Sequence, residues 1–245
     1  MKNINKWKRG EQMSFLTALL RAYDSSLEQG LVDKQEGNNT VLLPLYHTNM
    51  KSDGNDIIQV TLTNTGDLFQ SEFLPKGETI IFPITEDSVV RTSNKASHPL
   101  IDNFSYLSSI NEEKNKLYIK EFNKWYSFVQ DNQIKQYLSI IKKFMMKSNF
   151  LENILDSLYG KGNYSRKELK ISYSKEGKTK KTDLSKTFLT FAVNDFIGYK
   201  TVKVTDFVKL HENYIQYVEA QDSSRGVCNT SGEEQPLTMK HRGFF

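Results

Sequence analysis

Apolar residues recur at helical spacing from the start of the chain. In SFLTALLRAYDSSLEQG, the side chains of Phe15, Leu16, Leu19, Leu20, Tyr23 and Leu27 fall on one side of a predicted helix that Ser14 caps and Gly30 stops. The pattern then shortens. NNTVLLPLYH, NDIIQVTLTN, GDLFQSEFL and ETIIFPI are β-branched or aromatic runs, separated by the turn signals Ser52-Asp53-Gly54-Asn55, Asn64-Thr65-Gly66-Asp67 and Pro75-Lys76-Gly77. The connections are too short for crossover helices, so the block reads as an antiparallel meander of about four strands.

Beyond a polar stretch, RTSNKASHPLIDNFSYL, the period returns to that of a helix. Tyr118, Phe122, Trp125 and Val129 share one face, as do Ile134, Tyr137, Leu138, Ile141 and Met145, while Lys135, Lys142 and Lys143 fall largely elsewhere. Two or three helices are expected between about Glu113 and Leu158. KELKISYSKEG and KTDLSKTFLTFAV flank Gly177 like the arms of a hairpin, and a last helix is expected near Val204 to Ala220, with His211 on its apolar face as a core residue. The expected fold class is α+β: an N-terminal helix and antiparallel β-meander, followed by a helical region and a second, small β-hairpin region. Three segments follow: a basic extension at 1–12, expected to be poorly ordered; helix plus antiparallel sheet with the polar loop at 13–110; and the helical and hairpin region at 111–245.

Composition narrows the function. With 38% apolar and 25% charged residues the chain reads as globular, and no apolar run approaches the roughly eighteen residues of a membrane helix. A membrane partner is therefore not expected. The single cysteine, Cys228, rules out an internal disulfide and a cysteine-based zinc site, which points to a reducing, cytoplasmic setting. The net charge of +4 is unevenly spread. Residues 114–147 hold eight lysines against Glu121 and Asp131, and residues 161–186 hold nine Lys or Arg against Glu168, Glu176 and Asp183, a local balance of +6 in each. Such zones suit either a phosphate-binding surface or solvated helix and hairpin faces.

Catalytic signatures are absent from the sequence. His47, His98, His211 and His241 lie far apart and outside any paired-histidine metal motif, and there is no phosphate loop, dinucleotide fingerprint or nucleophile elbow. No enzyme activity, metal or cofactor is expected. Tyr126 and Tyr164, aromatics beside lysines, are candidate stacking platforms for bases. In the polar stretch, Arg91 can fork onto a phosphate or a guanine edge, Thr92 and Ser93 offer hydroxyls, Asn94 donates and accepts, and Lys95 and His98 add donors. Read from its composition alone, the stretch is either a groove-reading loop or an ordinary polar connection in which Asp102 or Asn103 satisfies backbone groups.

Three motifs, SFLTALLRAYDSSLEQG, RTSNKASHPLIDNFSYL and GVCNTSGEEQPLTMKHRGFF, together with the intervening β-block, resemble in order and spacing the large subunit of the type I-C CRISPR interference complex (Cascade). The resemblance covers nearly the whole chain from Ser14 onward and is loosest in residues 161–186. It implies a non-catalytic subunit that finds the protospacer-adjacent motif on double-stranded DNA and helps open the duplex beside it. The implied partners are target DNA, the 5′ region of the crRNA, the other backbone subunits and a helicase-nuclease recruited after target binding. Carried onto this chain, the motif-reading loop is Arg91, Thr92, Ser93, Asn94 and Lys95, with His98 alongside. Asn94 stands where the family often has glycine. Lys175, Lys178, Lys180, Lys181 and Lys186 are the candidate contacts to the phosphate backbone. The closing motif resembles an interior one, so the resemblance also implies a family chain that continues past residue 245. The alternative function is a scaffold that docks guide RNA and neighbouring subunits without reading DNA.

Overall fold

The computed structural model describes residues 15–32, 42–91, 95–221, 224–228 and 230–237. The extension at 1–12 and the cap expected at Ser14 lie outside these, as do Thr92, Ser93 and Asn94. The described residues form two compact units. One holds helix α1 (Phe15–Glu28), an isolated parallel bridge between Val32 and Leu42, and, from the turn-rich end of the sequence, a small hairpin of two three-residue strands. The other spans residues 43–221 and carries every candidate site residue that is described.

Within the larger unit the elements run β1 (His47–Lys51), β2 (Ile57–Leu62), β3 (Leu68–Phe73), β4 (Thr79–Pro83), α2 (Glu86–Val89), β5 (Asp102–Asn103), α3 (Phe104–Leu107), α4 (Glu112–Phe128), α5 (Asn132–Met145) and α6 (Phe150–Tyr159). There follow β6 (Tyr164–Lys167), β7 (Lys170–Lys175), β8 (Lys178–Asp183), β9 (Phe188–Phe196), β10 (Tyr199–Lys203) and α7 (Val208–Glu219). In the smaller unit β11 (Arg225–Val227) pairs antiparallel with β12 (Glu234–Pro236). The architecture is α+β, and where two or three central helices are expected there are three, α4, α5 and α6.

The first β-block is built differently from a simple meander. β1 pairs with β4 alone, while β2 and β3 belong to a five-stranded sheet of order β10-β9-β2-β3, with β5 added at the start of β9. β2 and β9 run parallel, from Ile57 opposite Phe188 to Leu62 opposite Val193. All six residues of β2 are buried, as a strand covered on both faces requires. This pairing joins the two segments that the sequence divides near residue 110, so the central sheet is common to both.

α5 covers β2 and β9 with Tyr137, Leu138, Ile141 and Phe144, each completely buried. Tyr137 donates its hydroxyl to the Val202 carbonyl at 3.0 Å, and Trp125 of α4 donates its indole N–H to Asn213 of α7 at 2.9 Å. Burial without unpaired polar atoms is what lets such large amphipathic rings sit in the core. His211 lies in the core as well, with Nε2 2.8 Å from the Val204 carbonyl oxygen.

α5 is capped by Asp131, whose carboxylate accepts from the backbone N–H of Gln133 at 2.8 Å and of Ile134 at 3.1 Å. The Ile134 N–H and the nearby Lys209 ammonium hold this carboxyl below its ordinary range. Asp131→Ala is expected to cost about 1 kcal/mol, the usual worth of an N-cap, measurable by urea denaturation. An unchanged midpoint would show that α5 does not depend on its cap.

Candidate nucleic-acid interface

The polar loop is organised around one buried carboxylate. Asp102 is completely buried between Ile101 and Phe104, themselves completely buried, and an isolated charge there is costly unless paired. Arg91 supplies the pair. Its Nη1 and Nη2 each donate to an Asp102 oxygen at 2.7 Å, and Nη1 also donates to the Ala96 carbonyl at 2.8 Å. The same carboxylate accepts from Ser97 Oγ at 3.1 Å and from the backbone N–H groups of His98 at 2.9 Å and Asn103 at 2.7 Å. Burial alone would lower the Arg91 pKa; the hydrogen bond and charge of Asp102 outweigh it, and the guanidinium is held more firmly protonated than usual. Its Cζ also lies 4.7 Å from the centroid of the Tyr106 ring.

Arg91 and His98 are thus turned inward. The fork that the sequence offers to a guanine edge is occupied by Asp102. His98 is buried, with Nδ1 2.8 Å from Ser88 Oγ and its ring edge-on to Phe82. Both differ from the outward donors read from the sequence, and the physical reason is the buried acid eleven residues after Arg91. Lys95 is exposed and ion-paired with Glu113 at the start of α4. Thr92, Ser93 and Asn94 fall outside the described residues, between the anchored Arg91 and Lys95.

The two basic zones separate on inspection of their partners. In the first, the lysines are largely engaged. Lys143 donates to the Thr65 carbonyl at 2.7 Å and Lys147 to Asp67 at 2.5 Å, tying α5 to the β2–β3 turn. Gly66 makes that approach possible: at φ +84°, an added Cβ would stand 3.1 Å from Lys143 Cδ and 3.3 Å from the Ile140 carbonyl oxygen. Lys116 pairs with Glu112, Lys124 with Glu121, and Lys135 donates to the Tyr126 carbonyl. Tyr126, a candidate stacking platform, has its ring approached by Lys135 Nζ at 3.9 Å and Lys142 Nζ at 4.6 Å.

In the second zone Arg166 pairs with Glu152, but among the described residues its lysines have no carboxylate within ion-pairing distance. β6, β7 and β8 form a three-stranded antiparallel sheet whose β7–β8 turn is Glu176-Gly177, at φ +55° and +72°. Two successive positive φ values suit a tight two-residue hairpin connection. In this register Lys175 faces Lys178, Tyr173 faces Lys180, and Ser172 faces Lys181. Directly paired residues share a face, and faces alternate along a strand. Lys175, Lys178 and Lys180 therefore lie with Tyr173 and Tyr164 on one face, while Lys181, Lys170 and Lys167 lie on the other. Lys186 follows in a short 3-10 turn, Leu184–Lys186. All five candidate lysines are exposed, and among the described residues none is within ion-pairing distance of a carboxylate. The Lys175–Lys178 juxtaposition costs about 0.2–1 kcal/mol by like-charge repulsion, so the arrangement is not one that stability selects.

Beside these lysines is an open groove of about 600 Å³, lined by Tyr159, Asn163, Tyr164, Ser172, Tyr173 and Thr179 among others. The Tyr159 ring is 4.5 Å from that of Tyr173 and 6.0 Å from that of Tyr164, and the Tyr159 hydroxyl has no hydrogen-bond partner among the described residues. Burial raises the Tyr159 hydroxyl to about 12, so it stays a donor at any ordinary pH. Lysines flanking partly exposed rings and hydroxyls match the chemistry of a nucleic-acid strand: ammonium to phosphate, ring to base.

The comparison with protein families decides what the chain is. The profile of the family described as CRISPR-associated protein (Cas_Csd1) matches residues 22–244. The chain belongs to this family. Membership makes it a CRISPR-associated protein of the Cascade large-subunit family, as the three sequence motifs suggested, with a role in CRISPR interference beside crRNA and other Cascade components. Comparison with curated proteins finds no match. Among the described residues of this Cas_Csd1 chain no helix is long and apolar enough to cross a membrane, and no three His, Cys, Asp or Glu side chains are grouped to hold a metal ion.

Sequence reasoning missed the groove tyrosines apart from Tyr164, because Tyr159 and Tyr173 meet only when α6 packs beside β7. It also missed the dependence of the loop on neutral histidines. Burial lowers His98 to about 4, with Asp102 opposing and Arg91 reinforcing the shift. Burial, aided by the charge of His211 and opposed by a hydrogen bond to the Leu45 carbonyl, lowers His47 to about 3. Both fold as neutral groups, whereas the unfolded chain protonates them near pH 6.5. Stability is therefore full above that pH and falls as pH drops toward 4, by about 1.4 kcal/mol per pH unit for each histidine. Urea denaturation at pH 7 and pH 5 is expected to show the loss, and His47→Phe to remove part of the slope. A flat profile would mean that the two rings are not held neutral by the fold.

Proposed function

We propose that this chain is a non-catalytic DNA-recognition subunit of a crRNA-guided surveillance complex. It reads the protospacer-adjacent motif on double-stranded DNA and helps start target unwinding, with sequence beyond the motif read by base pairing to the guide. The observation that carries the reading is the set of exposed lysines on β7 and β8, none within ion-pairing distance of a carboxylate among the described residues, whereas Lys116, Lys124 and Lys147 of the first zone are ion-paired. Family membership supports a nucleic-acid setting for them.

In this reading Lys175, Lys178, Lys180, Lys181 and Lys186 bind phosphates and set register, while Thr92, Ser93, Asn94 and Lys95 approach base edges. The Arg91–Asp102 clamp fixes the backbone on either side of them. The partners are target duplex, the 5′ region of the crRNA, the Cascade backbone subunits and a helicase-nuclease recruited once target is bound. Ser93→Ala and Asn94→Ala are expected to change discrimination between motif-bearing and motif-free duplexes by about 1–3 kcal/mol, the worth of a base-edge contact. Fluorescence anisotropy titrations measure it; unchanged preference in both variants would sink the base-reading role.

Phosphates of DNA and RNA present the same charge to lysine, and this favours one second reading: a scaffold whose hairpin holds guide RNA. It predicts RNA binding with no motif preference at any salt concentration.

A further inference from the structure

A second concavity, remote in sequence from the hairpin, lies between α4, the end of α5 and the start of α6. It encloses about 280 Å³, and its walls include Ile119, Phe122, Asn123, Lys142, Met145 and Met146. Three features define what it would hold. Its accessible surface is mainly apolar, with Ser109 and Ser148 at its rim: Ile119 is 43% and Met146 71% exposed, whereas the rings of Tyr118 and Phe122 beneath are almost wholly buried and offer no face to a base. Its charge is of one sign. Lys142 and Lys147 line it, and no carboxylate does; Lys147 is paired with Asp67, but Lys142 has no carboxylate partner among the described residues. The half-buried Asn123 amide, on the wall, makes no hydrogen bond among the described residues and can both donate and accept.

We propose that this groove is a docking site for an acidic segment of a partner protein subunit. The segment places one large apolar side chain against Ile119, Met145 and Met146, sets a carboxylate on Lys142, and satisfies its backbone on Asn123. Methionines at an exposed groove repack around such an anchor, and an ammonium at its edge that has a ring but no carboxylate beside it selects the sign of the flanking charge. A nucleic-acid strand would meet the ammonium but leave the aliphatic walls exposed to water. The site is separate from the hairpin lysines, so it stands whether or not those bind DNA.

The test replaces Met146 with the photo-crosslinking residue benzoylphenylalanine in the full chain, assembled with guide RNA and the other protein subunits of the complex. After irradiation and digestion, mass spectrometry identifies the adduct. The expected adduct is a peptide of a protein subunit with Asp or Glu within a few residues of a large apolar side chain. Ile119→Asp and Lys142→Glu, added separately, are expected to lower its yield about tenfold, the effect of losing an interface anchor, with the thermal unfolding of the chain unchanged. An adduct to nucleic acid, an adduct to a basic peptide, no adduct, or a yield insensitive to both groove variants would each overturn the proposal.

Discussion

Arg91→Ala is expected to destabilise the protein by about 3–5 kcal/mol, because it strands a buried carboxylate. Asp102 is completely buried, and its remaining donors, Ser97 Oγ and the N–H groups of His98 and Asn103, do not neutralise its charge. Asp102→Ala is expected to be comparably damaging, since it leaves a largely buried guanidinium and those donors without their acceptor. Arg91→Lys retains charge but loses the two-pronged geometry that bridges both oxygens. Chemical denaturation distinguishes this account from a direct role at DNA. A side chain reserved for base contact would be replaced at little cost to stability, with loss of motif preference alone. Under the proposed DNA-recognition role, stability and preference are expected to fall together, because Thr92, Ser93 and Asn94 follow directly on the anchored arginine.

Neutralising Lys175, Lys178, Lys180 and Lys181 together is expected to produce the largest change in binding. Each lysine that contacts a duplex phosphate contributes about 0.9 to the slope of log affinity against log salt, so the fourfold alanine variant should flatten that slope by about 3–4. At about 0.1 M salt the corresponding loss is more than about a hundredfold, and it should be equal for motif-bearing and scrambled duplexes. The protein should remain as stable as before or slightly more so, since removing the facing Lys175–Lys178 pair relieves repulsion. Binding titrations at several salt concentrations measure the slope. An unchanged slope would place the phosphate contacts elsewhere.

Much of this was legible in sequence, and the rest was hidden for identifiable reasons. The helices α4, α5 and α7 announce themselves by their apolar stripes, and the β7–β8 hairpin by Gly177. The parallel pairing of β2 with β9 leaves no local mark, because its partners lie more than a hundred residues apart and parallel strands share no turn. The β9–β10 connection is Ile197-Gly198, at φ +46° and +83°; its glycine is a turn signal, but the β-branched Ile197 stands at the first positive φ, where asparagine, aspartate or glycine would have made the signal plain. The polar character of the 91–107 stretch was plain, but the inward aim of Arg91 and His98 was not. One signal was available: Asp102 follows Leu100 and Ile101 and closely precedes Phe104, so a buried acid in need of a cation was foreseeable. Net charge likewise marked two basic zones without showing that Lys143 and Lys147 are committed to a turn some eighty residues earlier.

Recognition of a short DNA motif by this chain, as proposed, is measured by a selection. The full chain is mixed with a pool of duplexes randomised over the motif positions, at low and near-physiological salt, and the bound fraction is sequenced. Enrichment of one short motif is expected, persisting as salt weakens overall binding and lost in Ser93→Ala with Asn94→Ala. A bound fraction as random as the input, fading uniformly with salt, would contradict it.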